Sequence, residues 1–176
     1  MPFVHPSEEE VHARVDQAIH QLLDNDYYLL QIDANERAIS HRLGMYLQLL
    51  FTDWHVDCEY NRNLDQPKRL EQYEEFFDEE QRVWSIAETD PITVFPDIII
   101  HERGTRNNLL VVEMKKTTSK VGNDFDYMKL KEFKYQYGYP YALFLKLITG
   151  RKEIGYEIKE YLPQIEQPNK LSSPKS

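Results

Sequence analysis

The chain has 176 residues, which is enough for one domain and short for two. Its net charge of −9 excludes a protein that coats nucleic acid through phosphate contacts alone. That charge does not exclude an enzyme with an acidic centre and a local basic rim. The single cysteine, Cys58, excludes an internal disulfide and is typical of a cytoplasmic protein. No apolar run approaches the roughly 20 residues that span a bilayer, so we expect no membrane partner.

Two helices are predicted in the first third of the chain. Ser7 and Glu10 fit a capping box, and the apolar residues behind them recur at helical spacing, which predicts an amphipathic helix near 7–24. A second helix is predicted from near Asp33 to about Phe51. Its apolar stripe consists of Ile39, Leu43, Tyr46, Leu47 and Leu50. Alternating apolar residues in WHVDCEYNR then predict a strand.

Residues 61–92 are polar and are predicted to form an irregular insertion between the first two strands of the core. The stretch EQYEEFFDEE at 71–80 holds six acids and no base. We expect an acidic helix at about 68–82 with a solvated face. A role in mimicking DNA or in binding a partner is the alternative for this segment.

The second half of the chain predicts alternating strands and one helix. VFPDIIIHE and NLLVVEMKK are predicted strands, joined by a turn in which Gly104 can take positive φ. A helix is predicted from about Asp124 to Tyr137, because Asp124 or Asp126 lies near its start and Gly138 and Pro140 follow its end. YALFLKLI and GYEIKEYL predict two more strands. The predicted fold class is α/β with a mixed sheet, in a single domain over 1–163 that is followed by a flexible tail at 164–176.

The hairpin predicts a cluster of charged residues on one face of the sheet. If the turn centres on Thr105, Asp97 lies opposite Glu113, about 5 Å away. The same register pairs Ile99 with Val111 and His101 with Leu109. Strand alternation puts Asp97, Glu113 and Lys115 on one face, while the other face carries the apolar residues Ile98, Ile100, Val112 and Met114.

Two carboxylates held so close raise each other's pKa, and a hard divalent cation such as Mg²⁺ relieves that conflict. Lys115 would assist the attacking water or offset the charge that develops on a phosphate. Glu36 falls on the inward stripe of the second helix, where a carboxylate is costly without a partner. It is either a third acid of the site or the last member of a capping box that begins at Asp33.

These residues and their order resemble the PD-(D/E)XK nuclease superfamily, also called restriction-endonuclease-like. The likeness rests on FPDIII, on EMK and on the fifteen residues between Asp97 and Glu113. The stretches CEYNR, PDIIIHERG, NLLVVEMKK and DFDYMKLKEF also look like small stand-alone bacterial proteins of this superfamily. The resemblance covers about 33–149 and implies an α-β-β-β-α-β core with an extra N-terminal helix.

The resemblance also implies roles for the site residues. Asp97 and Glu113 would bind the metal together with the backbone carbonyl of Met114, Lys115 would act on the attacking water, and Glu36 would complete the site. The cofactor would be Mg²⁺, with Mn²⁺ able to replace it. Residues that would bind phosphate, or equally form a solvated face, are Lys116, Lys120, Lys129, Arg62 and Lys68.

The expected function is therefore Mg²⁺-dependent hydrolysis of DNA by an endonuclease. Two alternatives stay open: a catalytically silent binding or regulatory module with the same fold, and a nuclease that acts on RNA. A homodimer is expected if the enzyme cuts both strands of a duplex, because a lone domain of this size makes that cut most easily as a symmetric pair.

Overall fold

The computed structural model describes residues 5–60, 62–63, 66–67, 69–78, 83–93 and 95–163, with the backbone alone between 62 and 93. Within these ranges, helices run over Glu8–Asn25 (α1), Tyr27–Gln31 (α2), Glu36–Leu50 (α3) and Asp124–Tyr137 (α4). The strands of the same ranges are His55–Cys58 (β1), Arg62–Asn63 (β2), Gln66–Pro67 (β3), Arg69–Asp78 (β4), Val83–Thr93 (β5), Ile98–His101 (β6), Asn108–Lys116 (β7), Tyr141–Ile148 (β8) and Gly155–Tyr161 (β9). The predicted tail at 164–176 lies outside the described residues.

The N-terminal helices begin where local side chains satisfy their free backbone groups. Ser7 Oγ accepts from the backbone N–H of Glu10 at 3.3 Å, and Glu10 Oε2 accepts from the N–H of Ser7 at 2.8 Å, so the predicted capping box is confirmed. The short helix α2 is not among the predicted elements, because the prediction of the first helix ends near residue 24. Asp26, which separates α1 from α2, accepts hydrogen bonds from Arg42 and Tyr46 on α3 and so joins this corner to α3.

Five strands form one mixed sheet in the order β1-β6-β7-β8-β9. Only β7 and β8 are parallel, and α4 supplies the long crossover that a parallel pair requires. The described part of the chain is thus an α/β protein with N-terminal helices, a five-stranded mixed sheet and one helix between two of its strands. Within that part, no helix is long and apolar enough to cross a membrane.

Both faces of the central strands are buried. One face packs under α1 and α3, and the Ile98, Ile100, Val112 and Met114 side chains belong to that core, as predicted. The other face packs against α4 through a second core that contains Ile99, Val111, Leu130, Phe133 and Phe144. Any charged side chain on the α4 face of β7 is therefore inside the protein, where it needs a partner.

The acidic helix expected at about 68–82 is wrong. Residues 69–78 form β4, which pairs antiparallel with β5 in a two-stranded sheet that is interrupted by a bulge between Leu70 and Gln72. The helix propensity of the glutamates is only a weak preference. Hydrogen bonding to β5, whose sequence VWSIAETDPIT includes β-branched and aromatic residues, stabilises the strand more than that propensity stabilises a helix.

Two local predictions are corrected by backbone geometry. Helix α3 begins at Glu36 rather than near Asp33, because Asn35 caps it by accepting from the N–H of Ala38 at 2.7 Å. Asp33 has φ of 56° and precedes the helix, so the Asp33 capping box does not form. His101 pairs with Asn108 rather than Leu109, because a register shift follows Ile100.

Helix α3 crosses β1 closely at Gly44, and we expect Gly44→Ala to destabilise the fold by about 1–3 kcal/mol. An added Cβ would lie 2.8 Å from Cys58 Sγ, which forces the helix or the strand to move. Chemical denaturation of the two proteins measures the effect.

The matched control is Gly155→Ala, because nothing lies within 4 Å of a Cβ at that position. Adding Cys58→Ala to Gly44→Ala should recover most of the loss, since it removes the clashing sulfur. Equal losses in the presence and absence of Cys58 would contradict the steric explanation.

Candidate metal and phosphodiesterase site

The predicted site residues meet at one end of the sheet. Asp97 directly precedes β6, Glu113 and Lys115 lie on β7, and Glu36 is the first residue of α3. The observed pair Ile99–Val111 agrees with the predicted register, which brings Asp97 beside Glu113.

Asp97 is fixed against the neighbouring strand. Its Oδ2 accepts from the backbone N–H of Met114 at 2.7 Å. Burial raises the pKa of the Asp97 carboxyl, the Met114 N–H lowers it, and the Lys129 ammonium lowers it further, with a net rise. The negative charge of Asp97 raises the pKa of Glu113, so the two carboxyl groups lie close enough to interact electrostatically. Asp97 is the partly buried member of this predicted carboxyl pair.

Glu113 is the buried member of the pair, with only 1% of its surface exposed. Its Oε2 accepts from Lys129 Nζ at 2.5 Å, whereas Oε1 has no hydrogen-bond donor among the described residues. Burial and the negative charge of Asp97 raise the pKa of Glu113 well above its usual range, and Lys129 only partly offsets them. A buried carboxyl oxygen without a donor is costly, so this atom calls for a proton or a cation.

Lys115 lies on the same face as Glu113 and is 6% exposed. Its Nζ donates to the carbonyl of Gly122 at 2.7 Å and forms an ion pair with Asp126. The amine is therefore held between β7 and the start of α4, with both bonds inside the protein.

Helix α4 contributes two residues to the site whose place there was not predicted. Asp126 was considered only as a helix start, and Lys129 only as a phosphate contact. Both side chains are buried. Lys129 Nζ forms an ion pair with Glu113 and also lies 3.6 Å from Asp126 Oδ1. Burial opposes the charge of Lys129, but the carboxylate of Glu113 more than compensates and raises its pKa. The sequence did contain a signal, because Asp126 and Lys129 stand one turn apart beside the buried Leu130 and Phe133.

Glu36 faces the carboxyl pair from the other side. Its Oε2 accepts from the backbone N–H of Lys116 at 3.2 Å, so it does not cap its own helix. Burial and the negative charge of Asp97 raise its pKa. Of the two roles left open for Glu36, the geometry favours the third acid.

Lys116 holds the loop before α3 in place. Its Nζ donates to the carbonyl of Ala34 at 2.9 Å and lies 3.0 Å from Asp33 Oδ1. Hydrogen bonds from the hydroxyls of Thr149 and Thr118 reach the same carboxylate, and the Thr149 bond contributes most to lowering the pKa of Asp33. Lys116 is thus engaged by the protein.

The remaining phosphate-binding predictions stay untested. Lys120 is exposed near the start of α4. The side chain of Arg62 and all of Lys68 lie outside the described residues.

The charge balance of the site suits a divalent cation. Full ionisation leaves an excess of two negative charges, because four carboxyl groups face two ammonium groups: Glu36, Asp97, Glu113 and Asp126 against Lys115 and Lys129. No group of three or more metal-ligating side chains forms within the described part of the chain. Mg²⁺ needs only one or two carboxylates, with waters and substrate oxygens filling the other positions, so Asp97 and Glu113 fit it.

The backbone of β7 adds a further oxygen. The N–H and C=O of one strand residue face the same neighbouring strand. Because the N–H of Met114 donates to Asp97, the carbonyl of Met114 faces the same side. That side lies just before β6, which begins at Ile98. The role of the Met114 carbonyl as a third ligand stays a prediction.

The comparisons with known proteins add nothing to this geometry. No protein-family model, curated protein or solved structure matches the chain.

The raised pKa values predict that the metal-free protein loses stability as the pH rises. Asp97, Glu113 and Glu36 bind protons more tightly when folded, so their contribution is fully present below the unfolded pKa near about 4. It is lost as the pH rises through the folded values. We expect Asp97→Asn, whose amide oxygen can still accept from Met114, to raise the melting temperature at about pH 8 but not at about pH 4.

Mn²⁺ should raise the melting temperature of the wild type at about pH 8 and leave Asp97→Asn unchanged. The exposed acid Asp53 supplies the control Asp53→Asn, which should follow the wild type throughout. A wild-type melting temperature that is insensitive to both pH and Mn²⁺ would contradict the description of this site.

Proposed function

We propose that this protein is a Mg²⁺-dependent nuclease with a PD-(D/E)XK core that hydrolyses phosphodiester bonds in DNA as an endonuclease. The observation that carries the proposal is the carboxyl pair of Asp97 and Glu113, whose charges interact and whose buried member, Glu113, has an oxygen without a hydrogen-bond partner among the described residues. Lys115 stands two residues from Glu113 on the same face.

The arrangement of elements supports this assignment. Helix α3 is followed by β1, β6 and β7 in antiparallel succession and then by α4 and the parallel strand β8. This is the α-β-β-β-α-β order of the superfamily, with α1 and α2 before it. The β4–β5 hairpin is an addition between the first two core strands.

Hydrolysis requires a base for the attacking water and positive charge near the phosphate. Glu36 is half-buried at the edge of the site, and burial together with the negative charge of Asp97 raises its pKa, which makes its carboxylate a stronger base. When bound, Mg²⁺ would polarise the phosphate and offset the charge that develops on it.

Lys115 supports catalysis by its charge. Its nitrogen already donates to Gly122 and Asp126, so the geometry favours an electrostatic role over direct removal of a proton from water. Asp126 acts as a positioning residue, because its ion pair with Lys115 holds the ammonium between β7 and the start of α4.

One observation favours a second candidate, the catalytically silent module. Lys129 Nζ lies 2.5 Å from Glu113 Oε2 and supplies positive charge next to the place where a cation would bind. An internal lysine that neutralises the pair permanently would leave a stable fold without a metal. Calorimetric titration with Mn²⁺ separates the candidates, since the silent module takes up no ion.

We expect the wild type to cleave DNA in Mg²⁺ when it is offered supercoiled plasmid and circular single-stranded DNA, and Asp97→Asn and Lys115→Ala to lower the rate on the preferred DNA on the order of 100-fold or more. The reason is that Asp97→Asn removes one carboxylate of the carboxyl cluster formed by Glu36, Asp97, Glu113 and Asp126, and Lys115→Ala removes the ammonium that pairs with Asp126. Agarose gels of each DNA incubated with each protein measure the rate.

Lys131→Ala is the control, because Lys131 is an exposed lysine on the same helix as Lys129. Melting curves of each variant establish that it is folded. Cleavage by Asp97→Asn at the wild-type rate would rule out the proposed site.

A further inference from the structure

Two exposed phenylalanines border the carboxyl cluster. Phe95 is 53% exposed and stands two residues before Asp97, and Phe125 is 47% exposed and directly precedes Asp126. In the described part of the chain after residue 94, the other exposed large apolar side chains are Val121, Tyr135 and Tyr156. Single exposed apolar residues are normal on a protein surface, so the position of these two rings matters more than their exposure.

The Phe125 ring is connected to the site through Lys129. Lys129 Nζ lies 5.5 Å from the centroid of the ring and 2.5 Å from Glu113 Oε2. The distance from the ring centroid to that carboxylate oxygen therefore cannot exceed the sum of these two distances. The ammonium contacts one side of the ring, and the exposed surface of the residue leaves room for a flat partner. Phe95 is restricted in its backbone by Pro96, which follows it.

The cations next to the cluster do not offer the contacts that a continuous duplex requires. Lys115, Lys129 and Lys116 all donate to protein oxygens in the described structure. Binding of a duplex depends mainly on lysines and arginines that neutralise phosphates. Stacking of a base on an aromatic ring contributes about 1–3 kcal/mol per base and does not depend on such cations.

We propose, on the basis of the proposed nuclease function, that the substrate is DNA with unpaired nucleotides at the scissile phosphate, whose bases stack on Phe125 and Phe95. Bases inside a duplex already stack on their neighbours and present only their edges, so they cannot use these rings. Single strands, overhangs and flaps present free base faces next to a phosphate. The phosphate then lies at the carboxyl cluster while the adjoining base contacts Phe125.

The test is fluorescence anisotropy in Ca²⁺ with a labelled single strand and with a blunt-ended duplex of the same strand and its complement. We expect the wild type to bind the single strand more tightly than the duplex. Phe125→Ala and Phe125→Leu should weaken single-strand binding about tenfold and leave duplex binding unchanged, whereas Phe125→Trp should retain it. The leucine variant keeps an apolar side chain, so its loss of binding reports on the aromatic ring rather than on folding.

Tyr135→Ala is the matched control, because Tyr135 is an exposed aromatic residue near the other end of α4. Equal binding of duplex and single strand, or Phe125 variants that bind like the wild type, would overturn this inference, and Mg²⁺-dependent cleavage in the same preparations would leave the nuclease proposal standing. Stacking-dependent binding without hydrolysis of any substrate would instead overturn the nuclease proposal.

Discussion

The electrostatic interaction between the buried carboxyl group of Glu113 on β7 and the partly buried one of Asp97 beside it governs the organisation of this protein. Glu113 cannot be ionised in an apolar interior unless positive charge lies beside it, and Lys129 supplies one such charge. Lys129 can reach Glu113 only if α4 crosses the sheet with its first turns next to the end of β7 that carries Glu113. The parallel β7–β8 pair provides that crossover, so the topology and the site chemistry depend on the same helix.

Strand alternation made much of this site predictable. The spacing of Asp97, Glu113 and Lys115 was enough to put them on one face, because the side chains of a strand point to opposite faces in turn. The boundaries of α4 and β8 followed from Gly138 and from an apolar run, and both agree with the structure. What the family resemblance adds to the fold and to the site remains a prediction.

The features that were missed depend on partners far away in the sequence. The glutamates of 69–78 favour a helix locally, and only pairing with β5 makes them a strand. Asp126 resembled a helix start until the packing of α4 turned it inward towards Lys115. The local spacing of Asp33 and Glu36 predicted a cap. The carboxylate of Asp33 instead accepts from the hydroxyls of Thr118 and Thr149, which are too distant in the sequence for a local pattern to predict.

The hydrogen bond from the Lys116 N–H to Glu36 joins residues that are eighty positions apart. Such a contact closes late in folding, since chain entropy must be lost before distant segments meet. The electrostatic strain among Glu36, Asp97 and Glu113 is therefore a property of the native state and is largely missing from the transition state for folding. Substitutions that relieve this strain should slow unfolding and leave the folding rate almost unchanged.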